Sequence, residues 1–173
     1  AAETLQAWTG TAVQTEPSTP PPTPLPTLAE AEALARTRVV IQLRDGQVEF
    51  QLLPFDAPAN AARFVRLARA GYFDELTFHR IAPNFVIQGG SPNANEYAGD
   101  GAFTRDELGA ENWRGTVGIS TRGRDTGDAQ IYINLIDNVR LDHDYTVFAR
   151  VTSGMEFFDH MVEGTAMRRV TVR

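Results

Sequence analysis

The sequence predicts a mainly β fold, a closed eight-stranded antiparallel β-barrel capped by two α-helices. Short runs in which apolar and polar residues alternate recur from residue 38 to residue 172, whereas only two segments carry apolar residues at helical spacing. Many short strands would expose many sheet edges, and closing the sheet into a barrel removes those edges. The length of 173 residues and the hydrophobic content of 42% are ordinary for one globular domain with a substantial core.

The first two strands are predicted to form a hairpin. Apolar residues occupy every second position in 39–43 and again in 48–52, and Asp45-Gly46 lies between the two runs. This dipeptide favours the tight turn that matches the twist of paired strands. Further short strands are predicted over 78–81, 85–89, 116–120, 131–134, 147–151 and 170–172.

Two helices are predicted. The first begins at Pro58, which suits a first-turn position, and ends near Ala70 before Gly71. Its core face carries Ala61, Phe64, Val65 and Ala68, and its more exposed positions carry Arg63, Arg66 and Arg69. The second runs from about Gly154 to Val162 and carries an apolar stripe.

The N-terminal part of the chain is predicted to lie outside the barrel. Residues 1–14 are too few and too polar for a domain and resemble the end of an upstream helical region. Residues 15–35 are predicted to be a Pro- and Thr-rich linker and lead-in with polyproline II character, or alternatively a docking motif. The folded domain is predicted over 36–173. The spacer favours a C-terminal unit of a larger protein in a bacterial cell envelope or periplasm, with the cytoplasm as the alternative.

Composition and charge exclude several function classes. The net charge of -6, without a block of Lys or Arg, argues against nucleic acid or an anionic membrane as the main partner. The chain has no cysteine, so thiol nucleophiles and thiolate metal sites are absent. His79, His143 and His160 have no metal-ligand spacing, and His79 is predicted to hydrogen-bond inside the fold. We expect no cofactor, no membrane span and a monomer.

The segment Phe78–Gly90 (FHRIAPNFVIQGG) is the most informative motif for function. The turn signal Pro83-Asn84 lets two short strands fold back and brings Arg80 beside Phe85, Val86 and Gln88. The result is a small apolar pocket with a cation at its rim and no nucleophile. Such a pocket suits a neutral apolar group whose transition state needs one strong hydrogen-bond donor, as the prolyl peptide bond does.

Strand phase predicts which side chains face a ligand. In Gln130–Asn134 the two isoleucines share one face, and Gln130 and Tyr132 share the other. Ile87 likewise points opposite to Val86 and Gln88. The isoleucines are predicted to lie inside the barrel, and the other side chains to lie on its outer surface within reach of a ligand.

Five segments together resemble the cyclophilins: FHRIAPNFVIQGG, GTVGIS, AQIYIN, LDHDYTVFARV and SGMEFFDHM, in the family's order and spacing. The similarity covers about 38–173, and the sequence around Asp125 and Asp142 is similar to bacterial members. The resemblance implies an eight-stranded barrel with two helices, peptidyl-prolyl cis/trans isomerase activity without a cofactor, and a proline pocket on the outer face of the barrel.

The resemblance also implies the site residues. Arg80 and Gln88 are the expected catalytic residues. The expected substrate-binding residues are Phe85, Val86, Ser120, Thr121, Arg122, Gln130, Tyr132, Leu141 and Tyr145. The best-known members differ at Val86, Ser120, Thr121, Tyr145 and Arg140, the last replacing a Trp that helps to hold cyclosporin, so weak cyclosporin binding is expected. Arg122 would narrow sequence preference if its side chain folded over the neighbouring secondary pocket.

Two functions remain at this point. The first is isomerisation of X-Pro bonds in extended or unfolded peptides, without a covalent intermediate and with Arg80 stabilising the twisted amide. The alternative is a low-activity module that binds proline-containing peptides, or acts as a scaffold, through the same pocket.

Overall fold

A computed structural model describes residues 24–173. The predicted segment 1–14 and most of the proline-rich stretch lie outside the described residues. Helix α1, Leu28–Arg36, begins in the predicted lead-in and was not anticipated. Its N-cap is Thr27, whose side chain accepts from the Glu30 backbone N–H while the Glu30 carboxylate accepts from the Thr27 N–H at 2.7 Å. The T-x-x-E spacing of this capping box is visible in the sequence and could have indicated where the helix begins.

The described residues therefore contain three α-helices rather than the predicted two. Helix α2 spans Pro58–Arg69 with proline in its first turn, as predicted. Its predicted core face is buried, but Arg63 is only 4% exposed, contrary to the prediction, because it forms an ion pair with Asp100 and donates to the Ala102 carbonyl at 2.7 Å. Helix α3, Met155–Asp159, is shorter than predicted. No helix within 24–173 is long and apolar enough to cross a membrane.

Most strands follow the sequence pattern, but the predicted strand 78–81 is interrupted at His79, and Thr165–Ala166 forms a strand that was not predicted. The predicted hairpin pairs Arg38 with Gln51 through to Gln42 with Gln47. The strands are β1 Arg38–Gln42, β2 Gln47–Leu52, β3 Thr77–Phe78, β4 Arg80–Ala82, β5 Val86–Gly89, β6 Thr116–Ile119, β7 Ile131–Asn134, β8 Val147–Ser153, β9 Thr165–Ala166 and β10 Arg169–Val172.

Eight strands form one curled antiparallel sheet in the order β10-β1-β2-β8-β6-β7-β5-β4. The prediction of a closed barrel is not confirmed, because β4 and β10 remain edge strands that do not pair with each other. The chain segments that lead into these edges, β3 and β9, pair instead as a separate two-stranded sheet. The mainly β, antiparallel character of the prediction is confirmed.

The core fills the concave side of this sheet. Ile87, Ile131 and Ile133 are completely buried in it, which confirms the inward direction predicted from strand phase. Aromatic rings complete the packing: Phe64 lies 4.9 Å from Phe148 between ring centroids. The opposite face of β5, β6 and β7 is thereby left to carry the candidate site.

Candidate active site

The β4–β5 hairpin places the two expected catalytic residues side by side. Arg80 is directly opposite Gln88 in the antiparallel register, and Ala82 is opposite Val86. The hairpin turns at Pro83-Asn84, where Asn84 adopts a positive φ of 56°, which asparagine tolerates better than most residues. On the other side of β5, Gln88 is opposite Tyr132 of β7. One face of three adjacent strands therefore presents a cation, an amide and a phenol.

These side chains border a cavity of about 200 Å³. Phe85 and Leu141 contribute apolar walls, and Tyr145 contributes a second aromatic ring beside Tyr132, with the two centroids 6.0 Å apart. All predicted site residues except Arg122 and Gln130 line the cavity. One residue that was not predicted, Glu96, also lines it. The lining comprises Arg80, Phe85, Val86, Gln88, Glu96, Ser120, Thr121, Tyr132, Leu141 and Tyr145.

The outer face of the sheet is less open than predicted. Val86, Gln88 and Tyr132 are at most 5% exposed, and Gln130 is completely buried. The loop that contains Ala98 covers this part of the sheet. The Gln130 Nε2 donates to the Ala98 carbonyl of this loop at 2.9 Å. Strand phase correctly assigned the face, but it does not reveal whether a distant segment of the chain folds over it.

Gln130 supports Gln88 from behind the cavity. The Gln88 Nε2 donates to Gln130 Oε1 at 2.9 Å and to Ser120 Oγ at 2.8 Å. With both amide hydrogens directed to these partners, the orientation of the Gln88 side chain is fixed. Its Oε1 accepts no hydrogen bond from any residue in 24–173 and is available to a ligand N–H.

The phenol of Tyr132 is held away from ligand chemistry. Its hydroxyl donates to Asn112 Oδ1 at 2.6 Å, and burial raises its pKa far above the ordinary value for tyrosine, so it remains a neutral donor. The ring lies directly against Gly118, where a Cβ atom would overlap it. Sequence reasoning missed Gly118 and Asn112, although an isolated glycine within a strand is a recognised sign of close approach.

Glu96 was not predicted as a site residue, and it lies next to the expected catalytic arginine. Its Oε1 is 3.2 Å from Arg80 Nε, and the two side chains are 51% and 39% exposed. No other ion pair or side-chain hydrogen bond involves the Arg80 guanidinium within 24–173, so its terminal nitrogens are free for a ligand. Glu96 lies in an irregular loop, where no periodicity could have indicated its position.

Arg122 holds the loop that carries Glu96. It donates to the Glu96 carbonyl at 2.9 Å and to Asp128 Oδ2 at 2.8 Å, and the Asp128 side chain is only 1% exposed. Arg122 therefore supports the loop beside the cavity and is not part of the cavity lining, and its predicted role in substrate binding stays a prediction. Its guanidinium also lies 5.8 Å from the centroid of the Phe103 ring.

His79 precedes Arg80 and differs from its prediction. Neither of its buried ring nitrogens has a hydrogen-bond partner among the described residues. Burial is the main cause that lowers its pKa, and the nearby Thr77 backbone opposes the shift. Within 24–173, no group of three or more His, Cys, Asp or Glu side chains could hold a metal ion.

The sequence of the chain matches a known family and several of its members. Residues 38–173 match the model of the family described as cyclophilin type peptidyl-prolyl cis-trans isomerase. Peptidyl-prolyl cis-trans isomerase B of Bacillus subtilis is 39% identical over 134 residues, which cover 75% of this chain and 94% of that protein. A peptidyl-prolyl cis-trans isomerase of Helicobacter pylori is 33% identical over 145 residues, covering 80% and 89% of the two chains.

Solved structures share the fold. The crystal structure of a cyclophilin type peptidyl-prolyl cis-trans isomerase of Cryptosporidium parvum superposes with a TM-score of 0.73 at 21% identity, covering 79% of this chain and 97% of that chain. A second structure of that protein, in the presence of the dipeptide Ala-Pro, gives a TM-score of 0.71. The family match spans the whole curled sheet and its cavity, and the chain therefore belongs to the cyclophilin-type peptidyl-prolyl cis-trans isomerases.

Proposed function

We propose that the chain isomerises X-Pro bonds of extended or unfolded peptides in the Arg80 cavity, without a covalent intermediate. The observation that carries the proposal is the position of Arg80, whose terminal guanidinium nitrogens have no partner within 24–173 at the rim of a cavity with apolar walls. The Ala-Pro dipeptide present with the C. parvum relative supports a proline ligand.

The chemistry requires a donor that acts on the twisted amide. Rotation about a peptide bond costs about 18–20 kcal/mol because the C–N bond loses double-bond character. The prolyl nitrogen is a poor acceptor in the planar ground state and becomes a good one in the twisted transition state. A hydrogen bond from Arg80 to this nitrogen would therefore stabilise the transition state selectively.

The magnitudes show that Arg80 acts with the cavity walls. Raising a rate from about 0.01 to about 100 per second requires about 5.5 kcal/mol of transition-state stabilisation. One charge-assisted hydrogen bond supplies about 1.5–3 kcal/mol. We assign the remainder to the grip of Phe85, Val86 and Leu141 on the proline ring, and to Gln88, whose free Oε1 would accept a backbone N–H of the flanking chain.

A comparison of variants in an isomerisation assay tests this proposal. Exchange spectroscopy by NMR measures the cis/trans rate of an X-Pro peptide directly. We expect Arg80→Ala to lower kcat/KM about tenfold to a hundredfold, the equivalent of losing about 1.5–3 kcal/mol. Arg168→Ala is the matched control, because it removes an exposed arginine whose ion pair with Glu75 lies outside the cavity lining. Equal activity of Arg80→Ala and wild type would contradict the proposed mechanism.

The alternative function, a low-activity module that binds proline peptides, gives a different result in the same experiment. The peptide would bind and shift the resonances of the cavity residues, while wild type and Arg80→Ala would both leave the exchange rate near its uncatalysed value.

We further expect a monomer in sedimentation. We also expect weak cyclosporin binding in calorimetry, because Arg140 replaces the family's Trp.

A further inference from the structure

Arg140 lies next to the cavity without lining it. It occupies the short 3-10 turn Val139–Leu141, whose last residue is part of the cavity wall. The Arg140 guanidinium carbon is 4.0 Å from the centroid of the Phe85 ring, which is another part of that wall. A cation is therefore held one aromatic ring away from the cavity proposed for proline.

The charge of Arg140 is not neutralised by a neighbour. Within 24–173 it forms no ion pair and no side-chain hydrogen bond, whereas Arg80, Arg122 and Arg124 each pair with a carboxylate. Arg140 is exposed, so water and ligands can reach its side chain.

Stacking on Phe85 prepares Arg140 to bind a carboxylate. A guanidinium over an aromatic face is stabilised by about 0.5–1 kcal/mol at an exposed site, which restrains the side chain. The N–H donors lie in the plane of the guanidinium, so a stacked arginine still directs its fork of donors outward. That fork matches the two oxygens of a carboxylate.

We propose that Arg140 is a specificity-determining residue that selects X-Pro substrates with an Asp or Glu side chain close to the proline. This inference rests on the proposed function and names the substrate class for the same cavity. An extended peptide advances about 3.3 Å per residue, so an arginine one ring away from the proline is within reach of a side chain one or two residues along the peptide.

Matched peptides test the selection. Blocked peptides share one X-Pro bond and carry Glu, Gln or Lys in turn at each flanking position. Exchange spectroscopy measures kcat/KM for each at about 10 mM ionic strength, where the Debye length is about 30 Å. At one or more flanking positions, we expect wild type to prefer Glu over Gln by about twofold to fivefold, the range expected for an exposed ion pair. The preference should disappear at about 1 M salt, where the Debye length is about 3 Å.

Variants separate the charge of Arg140 from its stacking. Arg140→Gln should remove the Glu preference while leaving the rate with the Gln peptide within about twofold of wild type, and Arg140→Glu should reverse the preference toward Lys. Arg140→Lys should keep part of the preference, because it keeps the charge without the planar fork. The control Arg36→Gln changes the net charge equally on helix α1, whose residues do not line the cavity, and should keep the full preference.

Failure of this inference differs from failure of the proposed function. If the Gln peptide is isomerised but Glu gives no advantage at any position, or if Arg140→Gln keeps the advantage, the selection is disproved while the isomerase proposal stands. If no peptide is isomerised, the proposed function fails. Dissociation constants from titrations of the same peptides then decide whether Arg140 selects acidic ligands for a binding module, and equal constants for Glu and Gln would overturn the inference.

Discussion

Arg80 and Glu96 form an ion pair at the rim of the cavity, with Arg80 Nε 3.2 Å from Glu96 Oε1. Both side chains are substantially exposed, so water screens the pair and its contribution to folding is small, about 0–1 kcal/mol. The contact uses the Nε edge of the guanidinium and leaves the terminal nitrogens for a substrate. Its main consequence is therefore the orientation of Arg80 rather than the stability of the fold.

We expect Glu96→Ala to lower kcat/KM about twofold to tenfold, because immobilising a freed side chain costs about 0.5–1.5 kcal/mol. Glu96→Gln should lose less, because its amide oxygen can still accept from Nε. NMR exchange rates measure both variants. Glu75→Ala is the matched control, since it removes a similarly exposed pair, Glu75 with Arg168 at 3.1 Å, that does not line the cavity. A Glu96→Ala enzyme as fast as wild type would show that Arg80 needs no such support.

Glu96 also marks the limit of what the sequence predicts. Local patterns gave the β1–β2 hairpin, the inward isoleucines and half of the cavity lining, because strand alternation and the Phe78–Gly90 motif act over a few residues. The resemblance to the cyclophilins, not a local pattern, implied the lining residues Ser120, Thr121, Leu141 and Tyr145. Glu96 reaches Arg80 because distant parts of the chain fix its loop, through Arg122 at the Glu96 carbonyl and Gln130 at the Ala98 carbonyl. The same long-range folding buries Gln130, which strand phase alone placed on an open face.

The unconfirmed closure of the sheet and the unpredicted helix α1 have different explanations. Alternation shows that strands exist, but whether β4 meets β10 depends on the twist and length of the whole sheet, which no local pattern specifies. Helix α1, by contrast, had a local signal in the Thr27 and Glu30 capping box. The proline-rich composition of the residues before helix α1 favoured the prediction of a linker there.

The close contact between Gly118 and Tyr132 makes a second prediction. A methyl group at position 118 would overlap the Tyr132 ring, which forms part of the cavity wall. We expect Gly118→Ala to cost about 1–3 kcal/mol of unfolding free energy, as overpacking does, and to lower kcat/KM because the ring must move. Urea unfolding and exchange rates measure the two effects.

The Tyr132→Ala background is the control for this contact. With the ring removed, Gly118→Ala should cost much less, and the double-mutant cycle isolates the clash from any strand effect of alanine. An equal cost in both backgrounds would place the effect in the backbone of β6 instead. Tyr132→Phe should keep most activity, because it retains the ring and loses only the 2.6 Å hydrogen bond to Asn112.

The lowered pKa of His79 predicts a pH-dependent stability. Burial is its main cause; the Thr77 backbone, Glu96 and Glu163 oppose the shift, and Arg80 reinforces it. Well above the ordinary histidine pKa of about 6.5, the His79 ring is neutral in both the folded and the unfolded chain. As pH falls through that value the unfolded chain binds a proton before the folded chain does, so stability is lost below about pH 6.5.

The measurement is the free energy of unfolding in urea between about pH 7.5 and about pH 5.5, across the ordinary histidine pKa. One such histidine contributes a slope of at most about 1.36 kcal/mol per pH unit. We expect His79→Gln to have a shallower pH dependence than wild type. His160→Gln is the matched control, because it makes the same replacement at an exposed histidine. Parallel curves for wild type and His79→Gln would contradict the assignment.

The ion pair between Arg122 and Asp128 predicts how the cavity loop is held. Asp128 is buried, and it also accepts from the Gln130 backbone N–H at 2.9 Å. Removing Arg122 leaves this carboxylate without its cation and releases the Glu96 carbonyl at the same time. We expect Arg122→Ala to lower the unfolding free energy by about 1–3 kcal/mol, as an unsatisfied buried group does.

Hydrogen exchange and kinetics together test whether Arg122 acts through the loop. Exchange of the amides in 96–100 should accelerate in Arg122→Ala, and kcat/KM should fall by about as much as in Glu96→Ala, because both variants free Arg80. Combining the two substitutions should then add little further loss of activity, since residues in one network are not additive. Arg168→Ala, which removes an exposed pair with Glu75, should change neither quantity. Full additivity of the Arg122 and Glu96 effects would mean that Arg122 acts on the substrate independently of the loop.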